Sequence, residues 1–120
     1  MSDWSIFAST GGIDMFKPNQ KRYLTKGVDQ EVPFDVQLFC WETVTKKKAS
    51  NQELDYLQIF EFNVDKERGA TEVIHRQEQP FFIDYHQMKL TKETLQIFKA
   101  RKIWVIDDGI YQTMLLPEEY

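Results

Sequence analysis

Apolar residues recur along the chain with two different spacings, one typical of helices and the other typical of strands. Between residues 33 and 46 they lie three and four positions apart, at Val36, Phe39, Cys40 and Val44. Pro33 suits the first turn of a helix, because its missing N–H costs little there. The spacing therefore predicts a helix over residues 33–46 that packs against a core.

Elsewhere β-branched and aromatic residues dominate segments that are separated by turn-forming residues, which is typical of strands. The segments predicted as strands are residues 22–28, 54–64, 71–77 and 81–86. In the last of them Phe81, Ile83 and Tyr85 alternate with Phe82, Asp84 and His86. A second, shorter helix is predicted to follow Thr91, a favoured residue type at helix N-termini.

The end of the chain predicts a β-hairpin. Residues 103–107 and 110–116 flank Asp108-Gly109, which suits a two-residue type I′ turn. Such a turn pairs Ile106 with Tyr111, Trp104 with Thr113 and Ile103 with Met114. Together the elements predict an α+β fold, with a mainly antiparallel sheet of five to six strands, two helices and the order β-α-β-β-β-α-β-β.

At 120 residues the chain has the size of one domain with one core. Residues 1–14 have no sustained periodicity and contain Ser9-Thr10-Gly11-Gly12, a flexible composition. We predict that residues 1–14 are a flexible N-terminal tail or an appended remnant. Residues 15–120 are predicted to form a single α+β domain.

The predicted hairpin and the strand around Leu57 carry apolar residues at successive positions, so both faces of these strands need cover. Two helices do not cover both sides of a sheet, so either the sheet curls or one face meets a partner. The leading hypothesis is a non-enzymatic interaction module that binds itself, as a homodimer, or another protein through Trp104, Ile106 and Tyr111. The alternative is that these residues complete an aromatic core.

Histidines and nearby carboxylates offer the one candidate for chemistry. His75, Glu78, Asp84 and His86 lie on either side of a turn at Pro80, and the turn could bring them together. A small metal-binding or acid/base enzyme is therefore the first alternative hypothesis, although the spacing matches no established ligand pattern. The sequence has no phosphate-binding glycine loop and no Gly-x-Ser-x-Gly motif. It assigns no catalytic residue, no metal ligand and no cofactor.

The net charge of −4 works against non-specific attraction to nucleic acid. Residues 89–102 are nevertheless basic, with Lys89, Lys92, Lys99, Arg101 and Lys102 against Glu93 alone. Binding of nucleic acid through this segment is the second alternative hypothesis, although the sequence lacks a recognisable nucleic-acid-binding module.

Cysteine usage and hydropathy indicate a cytoplasmic protein. Cys40 is the single cysteine and cannot form a disulfide within the chain. Its place on the apolar stripe of the first helix predicts a buried core residue. The sequence shows neither a signal-peptide pattern nor an apolar run of the ~20 residues that span a membrane.

Several segments together resemble an uncharacterised family of low-GC Gram-positive bacteria, the domain-of-unknown-function family numbered 960. The segments that carry the resemblance are Arg22–Val28, Leu38-Phe39 with Trp41, Asp55–Glu61, Ile74-His75, and Gln77-Glu78 with Pro80. The match covers roughly residues 15–116, and it implies a small intracellular bacterial protein. It implies no activity, ligand or catalytic residue.

Overall fold

The computed structural model describes residues 14–65, 67–98 and 100–120. These residues contain a six-stranded mixed sheet and three α-helices. The elements are β1 (Arg22–Leu24), α1 (Lys26–Glu31), α2 (Phe34–Ala49), β2 (Leu57–Asp65), β3 (Ala70–Glu78), β4 (Phe81–Lys89), α3 (Lys92–Ile97), β5 (Lys102–Asp107), β6 (Gln112–Leu115) and a 3₁₀ turn (Pro117–Glu119). The predicted α+β class is confirmed. The predicted N-terminal tail lies outside the described residues, apart from Asp14.

The strands follow the order β1-β6-β5-β2-β3-β4 across the sheet. Each neighbouring pair is antiparallel except β1 and β6, which run parallel. The sheet is therefore mainly antiparallel, as predicted. One of its edges is the nine-residue strand β4, and the other is the three-residue strand β1.

Helix α2 covers one face of this sheet. The side chains of its apolar stripe are fully buried, because Val36, Cys40 and Val44 have no exposed surface. The ring of Phe39 lies 5.7 Å from the ring of His86 on β4, measured between centroids. The helix predicted over residues 33–46 is confirmed, and it continues for one further turn that ends in lysines, where cations oppose the helix dipole.

Strand alternation divides the sheet into two surfaces that differ in cover. On the face against α2, the covered face, the central side chains of Phe60, Ile103 and Val105 are fully buried. The opposite face, the open face, carries their neighbours in sequence. Along β4 the side chains on the open face are exposed, and those on the covered face are half-buried.

The first strand is shorter than predicted. It was expected to span residues 22–28, but it ends at Leu24 because the Thr25 hydroxyl accepts a hydrogen bond from Val28 N (3.3 Å). This bond caps α1, a short helix that the sequence pattern did not indicate. The same capping interaction confirms the prediction for α3, where Thr91 accepts from Thr94 N (3.1 Å).

The predicted register of the last hairpin is wrong by two residues. Trp104 pairs with Leu115, and Ile106 pairs with Thr113, so residues 108–111 form the turn and Tyr111 lies in it. Two carboxylates stabilise this turn. Asp107 Oδ1 accepts a hydrogen bond from Gly109 N (2.8 Å), and Asp108 Oδ1 accepts hydrogen bonds from Ile110 N and Tyr111 N. A shift of two keeps each strand residue on its predicted face.

Asp107 also joins the hairpin to the start of the described chain. Its carboxylate is 1% exposed and accepts hydrogen bonds from Phe16 N (2.6 Å) and Gln20 Nε2 (3.0 Å) as well as from the turn. Asp107→Ala leaves the buried Phe16 N–H and two partly buried donors without this acceptor, so we expect it to lower the free energy of unfolding by about 2–4 kcal/mol. Urea denaturation measures this loss.

The neighbouring substitution Asp108→Ala is the matched control. It removes hydrogen bonds to exposed N–H groups that water can replace, so the expected loss is about 1 kcal/mol or less. Equal losses for the two variants would show that Asp107 does not tie the N-terminal segment to the hairpin.

Candidate functional site

Three of the four residues of the predicted polar cluster meet on the covered face. His75 on β3 lies directly opposite Asp84 on β4, and His86 follows two positions later on the same face. One potential ligand atom from each residue lies within 4.8 Å of those of the other two. We call these three residues the His–Asp cluster. The sequence left open whether a turn at Pro80 brings these residues together, and the pairing of β3 with β4 does so.

Glu78 does not join the cluster. It lies at the end of β3, opposite Phe81, and its position alternates with that of His75, so it belongs to the open face. Glu78 is exposed, whereas His75 is fully buried. Glu78 is close to His75 in the sequence, but the alternation of side chains along the strand places the two residues on opposite faces of the sheet.

His75 is enclosed by aromatic side chains. The Phe60 ring stacks on the imidazole with 4.4 Å between centroids, and the edge of Phe82 approaches at 5.2 Å. Burial lowers the pKa of His75 from its ordinary value of 6.5 to about 4. The imidazole is therefore neutral at pH 7, with one protonated and one unprotonated nitrogen.

Two buried glutamines extend from His75 along the covered face. Nε2 of His75 lies 2.7 Å from Gln58 Oε1, and Gln58 Nε2 donates to Gln77 Oε1 (2.8 Å). Gln77 Nε2 in turn donates to the backbone carbonyls of Glu53 (3.0 Å) and Pro80 (2.7 Å). We call Gln77 and Gln58 the glutamine relay. Sequence reasoning missed it, because glutamine in a strand carries no signal of burial.

On its solvent side the His–Asp cluster borders a cavity of about 280 Å³ between α2 and β4. Phe39, Asp84 and His86 line this cavity, and so does Lys47. The Lys47 ammonium forms an ion pair with Asp84 Oδ2 and lies 4.5 Å from the centroid of the Phe82 ring. The imidazole of His86, the carboxylate of Asp84 and the ammonium of Lys47 thus border a solvent-accessible space, and His75 lies buried behind them.

The residues of the predicted interaction face do not form one continuous surface. Trp104 and Ile106 lie half-buried on the open face, and the Trp104 ring contacts that of Tyr120 at 5.6 Å. Tyr111 lies in the hairpin turn, where its ring meets that of Tyr23 at 5.1 Å. The first two residues therefore belong to the centre of the open face, and Tyr111 belongs to one end of the sheet.

More exposed apolar side chains lie at the opposite edge of the open face. Phe81, Ile83 and Tyr85 on β4 are 68%, 37% and 62% exposed. We call these three the β4 stripe. Their alternation with Phe82, Asp84 and His86 was visible in the sequence, but the position of β4 at the edge was not, because it depends on how distant strands pair.

The basic segment contributes partly to structure. Arg101 Nη1 donates to Phe98 O (2.5 Å), and its guanidinium lies 5.3 Å from the centroid of the Phe98 ring. Lys102 is exposed at the start of β5, Lys89 ends β4, and Lys99 is outside the described residues. Cys40 is fully buried as predicted, and burial raises the pKa of its thiol far above the ordinary value, which leaves it unreactive.

A family model described as a Staphylococcal protein of unknown function (DUF960) matches residues 21–119. The chain belongs to the DUF960 family. This confirms the resemblance seen in the sequence, and the family description names no activity. No curated protein matches the chain.

A solved structure has the same fold as this DUF960 chain. It is the crystal structure of a protein of unknown function from Enterococcus faecalis, with a TM-score of 0.75 over 90% of this chain and 97% of that chain. The two sequences are 21% identical, so the likeness concerns the fold alone. Among the described helices none is long and apolar enough to span a membrane.

The low pKa of His75 predicts a specific loss of stability in acid. Below pH 6.5 the unfolded chain protonates this histidine, whereas the folded chain resists until about pH 4. Stability is therefore fully present above pH 6.5 and falls toward pH 4, by about 3 kcal/mol from this residue. Urea denaturation across this pH range should show that His75→Gln loses this component of the pH dependence.

His86→Gln is the control for this effect, since it removes the other histidine and keeps His75. It should retain the fall that His75 causes. If His75→Gln follows the wild-type pH profile, His75 is not held neutral by burial.

Proposed function

We propose that this DUF960 protein is a non-enzymatic protein-interaction module that binds a second copy of itself through the open face of its sheet and the adjoining β4 edge. One observation carries the proposal. Helix α2 shelters one face, while the β4 stripe on the other face stays in solvent, with Phe81 68% and Tyr85 62% exposed. Aromatic side chains exposed side by side are typical of binding surfaces.

The composition of the open face supports this proposal. Protein interfaces are enriched in aromatic residues and arginine, which supply contact area together with a polar group. Ile83 lies opposite Arg76, which belongs to a row across the sheet that continues through Ile59 to Trp104. Arg76 is also 3.8 Å from Glu61 in the neighbouring row, so the charge of Arg76 is balanced on this face.

The position of β4 favours pairing with another strand. It is a nine-residue edge strand, and the sheet order leaves its outer side without a partner among the described strands. An edge of this length presents unpaired backbone N–H and C=O groups, which readily form hydrogen bonds to a further strand. Pairing with β4 of a second copy would extend the sheet across the dimer.

A two-fold axis through Tyr85 gives a self-complementary register for this pairing. Antiparallel strands centred on Tyr85 place Tyr85 opposite its own copy and Ile83 opposite Gln87 on the open face. On the covered face the same register places Phe82 opposite Met88. Tyr85 thus meets its own copy on the open face, and Phe82 meets Met88 on the covered face.

Sedimentation velocity over a wide range of protein concentration tests the proposal. We expect a reversible dimer, and we expect Tyr85→Glu to weaken self-association by at least about tenfold, because a buried aromatic anchor becomes a charge. Tyr85 is exposed in the single chain, so its replacement should leave the melting temperature nearly unchanged at concentrations where the wild type is monomeric.

Phe34→Glu is the matched control. Phe34 is 73% exposed, at the start of α2 on the other side of the sheet, so the same change in charge there should leave the dimer intact. A chain that remains monomeric at every concentration contradicts the proposal. So does a dimer that Phe34→Glu disrupts and Tyr85→Glu does not.

A further inference from the structure

We propose that His75, Asp84 and His86 bind a divalent transition-metal ion, and that zinc suits this donor set. The inference starts from two nitrogens. His75 Nδ1 and His86 Nε2 are both buried, and neither has a hydrogen-bond partner among the described residues. Leaving a buried polar atom unpaired is costly, and such atoms in native proteins call for a specific explanation. A metal ion between them would satisfy both.

The glutamine relay sets the protonation of His75 in the form that a metal requires. Gln77 Nε2 donates to two backbone carbonyls, so its Oε1 must accept from Gln58 Nε2. The remaining atom of that second amide, Gln58 Oε1, is an acceptor and therefore takes the proton of His75 Nε2 (2.7 Å). The lone pair of the neutral imidazole is then on Nδ1, the buried nitrogen that has no hydrogen-bond partner among the described residues.

This arrangement resembles the surroundings of metal-bound histidines in general. A ligating histidine almost always donates its other ring N–H to a carbonyl or carboxylate oxygen, which fixes the ring and its tautomer. Gln58 supplies that oxygen, and Gln58 is itself fully buried and held by the relay. His75 is thus oriented before any ion arrives.

The spacing of the three donors requires only a small closure. Donors bound tetrahedrally to zinc at 2.0–2.1 Å lie about 3.3 Å apart, whereas the three ligand atoms here lie within 4.8 Å of one another. Stacking on Phe60 holds His75 in place. The half-buried side chains of Asp84 and His86 on the edge strand would therefore move toward it when an ion binds.

Lys47 is the natural competitor of a metal ion. Its ammonium already neutralises Asp84 through Oδ2, which leaves Oδ1 of the carboxylate for coordination. A positive charge so close to the cluster opposes the approach of a cation. The charge of Lys47 should therefore weaken metal affinity without preventing binding. The adjoining cavity, which Asp84 and His86 line, gives an ion access to these two donors from solvent.

The donor types select the class of ion. Two imidazoles and one carboxylate suit zinc, cobalt or nickel, whereas calcium and magnesium prefer sites built from oxygen alone. The inference stands on the geometry of a single chain and does not depend on self-association.

Calorimetric titration of the tag-free full chain with zinc chloride tests the site. We expect about one ion per chain, while magnesium chloride under the same conditions gives no binding. His86→Gln should lower zinc affinity by at least about tenfold, and Gln58→Leu by about 10–100-fold, because it removes the oxygen that orients His75. Lys47→Met should raise zinc affinity, a change that no purely structural role of the cluster predicts.

The chain provides its own control and a direct spectroscopic readout. Glu78→Gln removes a nearby carboxylate from the other face and should leave zinc affinity unchanged. Since the chain has two histidines, proton NMR resolves both imidazoles, and one equivalent of zinc should shift the signals of both.

Three results overturn the proposal: no zinc binding at roughly millimolar concentration, binding that leaves both imidazole signals unshifted, or an affinity that Glu78→Gln lowers as much as His86→Gln does. If His86→Gln fails to fold, the wild-type imidazole shifts and the direction of the Lys47→Met effect still decide.

Discussion

Helix α2 shields the centre of the covered face from water, and each polar side chain buried there must find its partner inside the protein. This constraint organises much of the structure. Gln58, Gln77 and His75 satisfy one another in a chain that ends on backbone carbonyls. Asp107 satisfies N–H groups from both ends of the described chain.

The exceptions to this rule are the informative positions. His75 Nδ1 and His86 Nε2 remain unpaired next to Asp84, where the covered face approaches its outer edge. The remaining buried side-chain atom of this kind among the described residues is the Thr71 hydroxyl. Two unpaired imidazole nitrogens beside a carboxylate therefore indicate a site for a cation.

The second consequence of covering the sheet on one face is its asymmetry. Because strand residues alternate between faces, the apolar positions of β4 that do not point toward α2 point into solvent. The cluster and the β4 stripe thus lie on opposite faces of the same edge strand. Within one chain, strand geometry keeps the side chains of the proposed metal site apart from those of the β4 stripe.

Local patterns in the sequence predicted what depends on local physics. Helix α2 and the strands on either side of Pro80 follow from periodicity and turn chemistry, whereas the register that places His75 opposite Asp84 was left open by the sequence. The hairpin register failed because the carboxylates of Asp107 and Asp108 outcompete the backbone preference for a two-residue turn.

Long-range pairing accounts for what the sequence did not predict. The edge position of β4 depends on β5 inserting between β6 and β2, and no local pattern records that order. The glutamine relay was invisible for a related reason, because a glutamine is ordinary in a strand until tertiary packing buries it. Glu78 was grouped with the histidines by proximity in sequence, which ignores the face on which it lies.

The tautomer of His75 is the most direct test of this account, because burial, the glutamine relay and the metal site all bear on it. Nitrogen-15 NMR of the imidazoles near pH 7 distinguishes a protonated from an unprotonated ring nitrogen. The account predicts a neutral His75 with its proton on Nε2 and an unprotonated Nδ1. A proton on Nδ1, or a charged imidazolium at this pH, would contradict it.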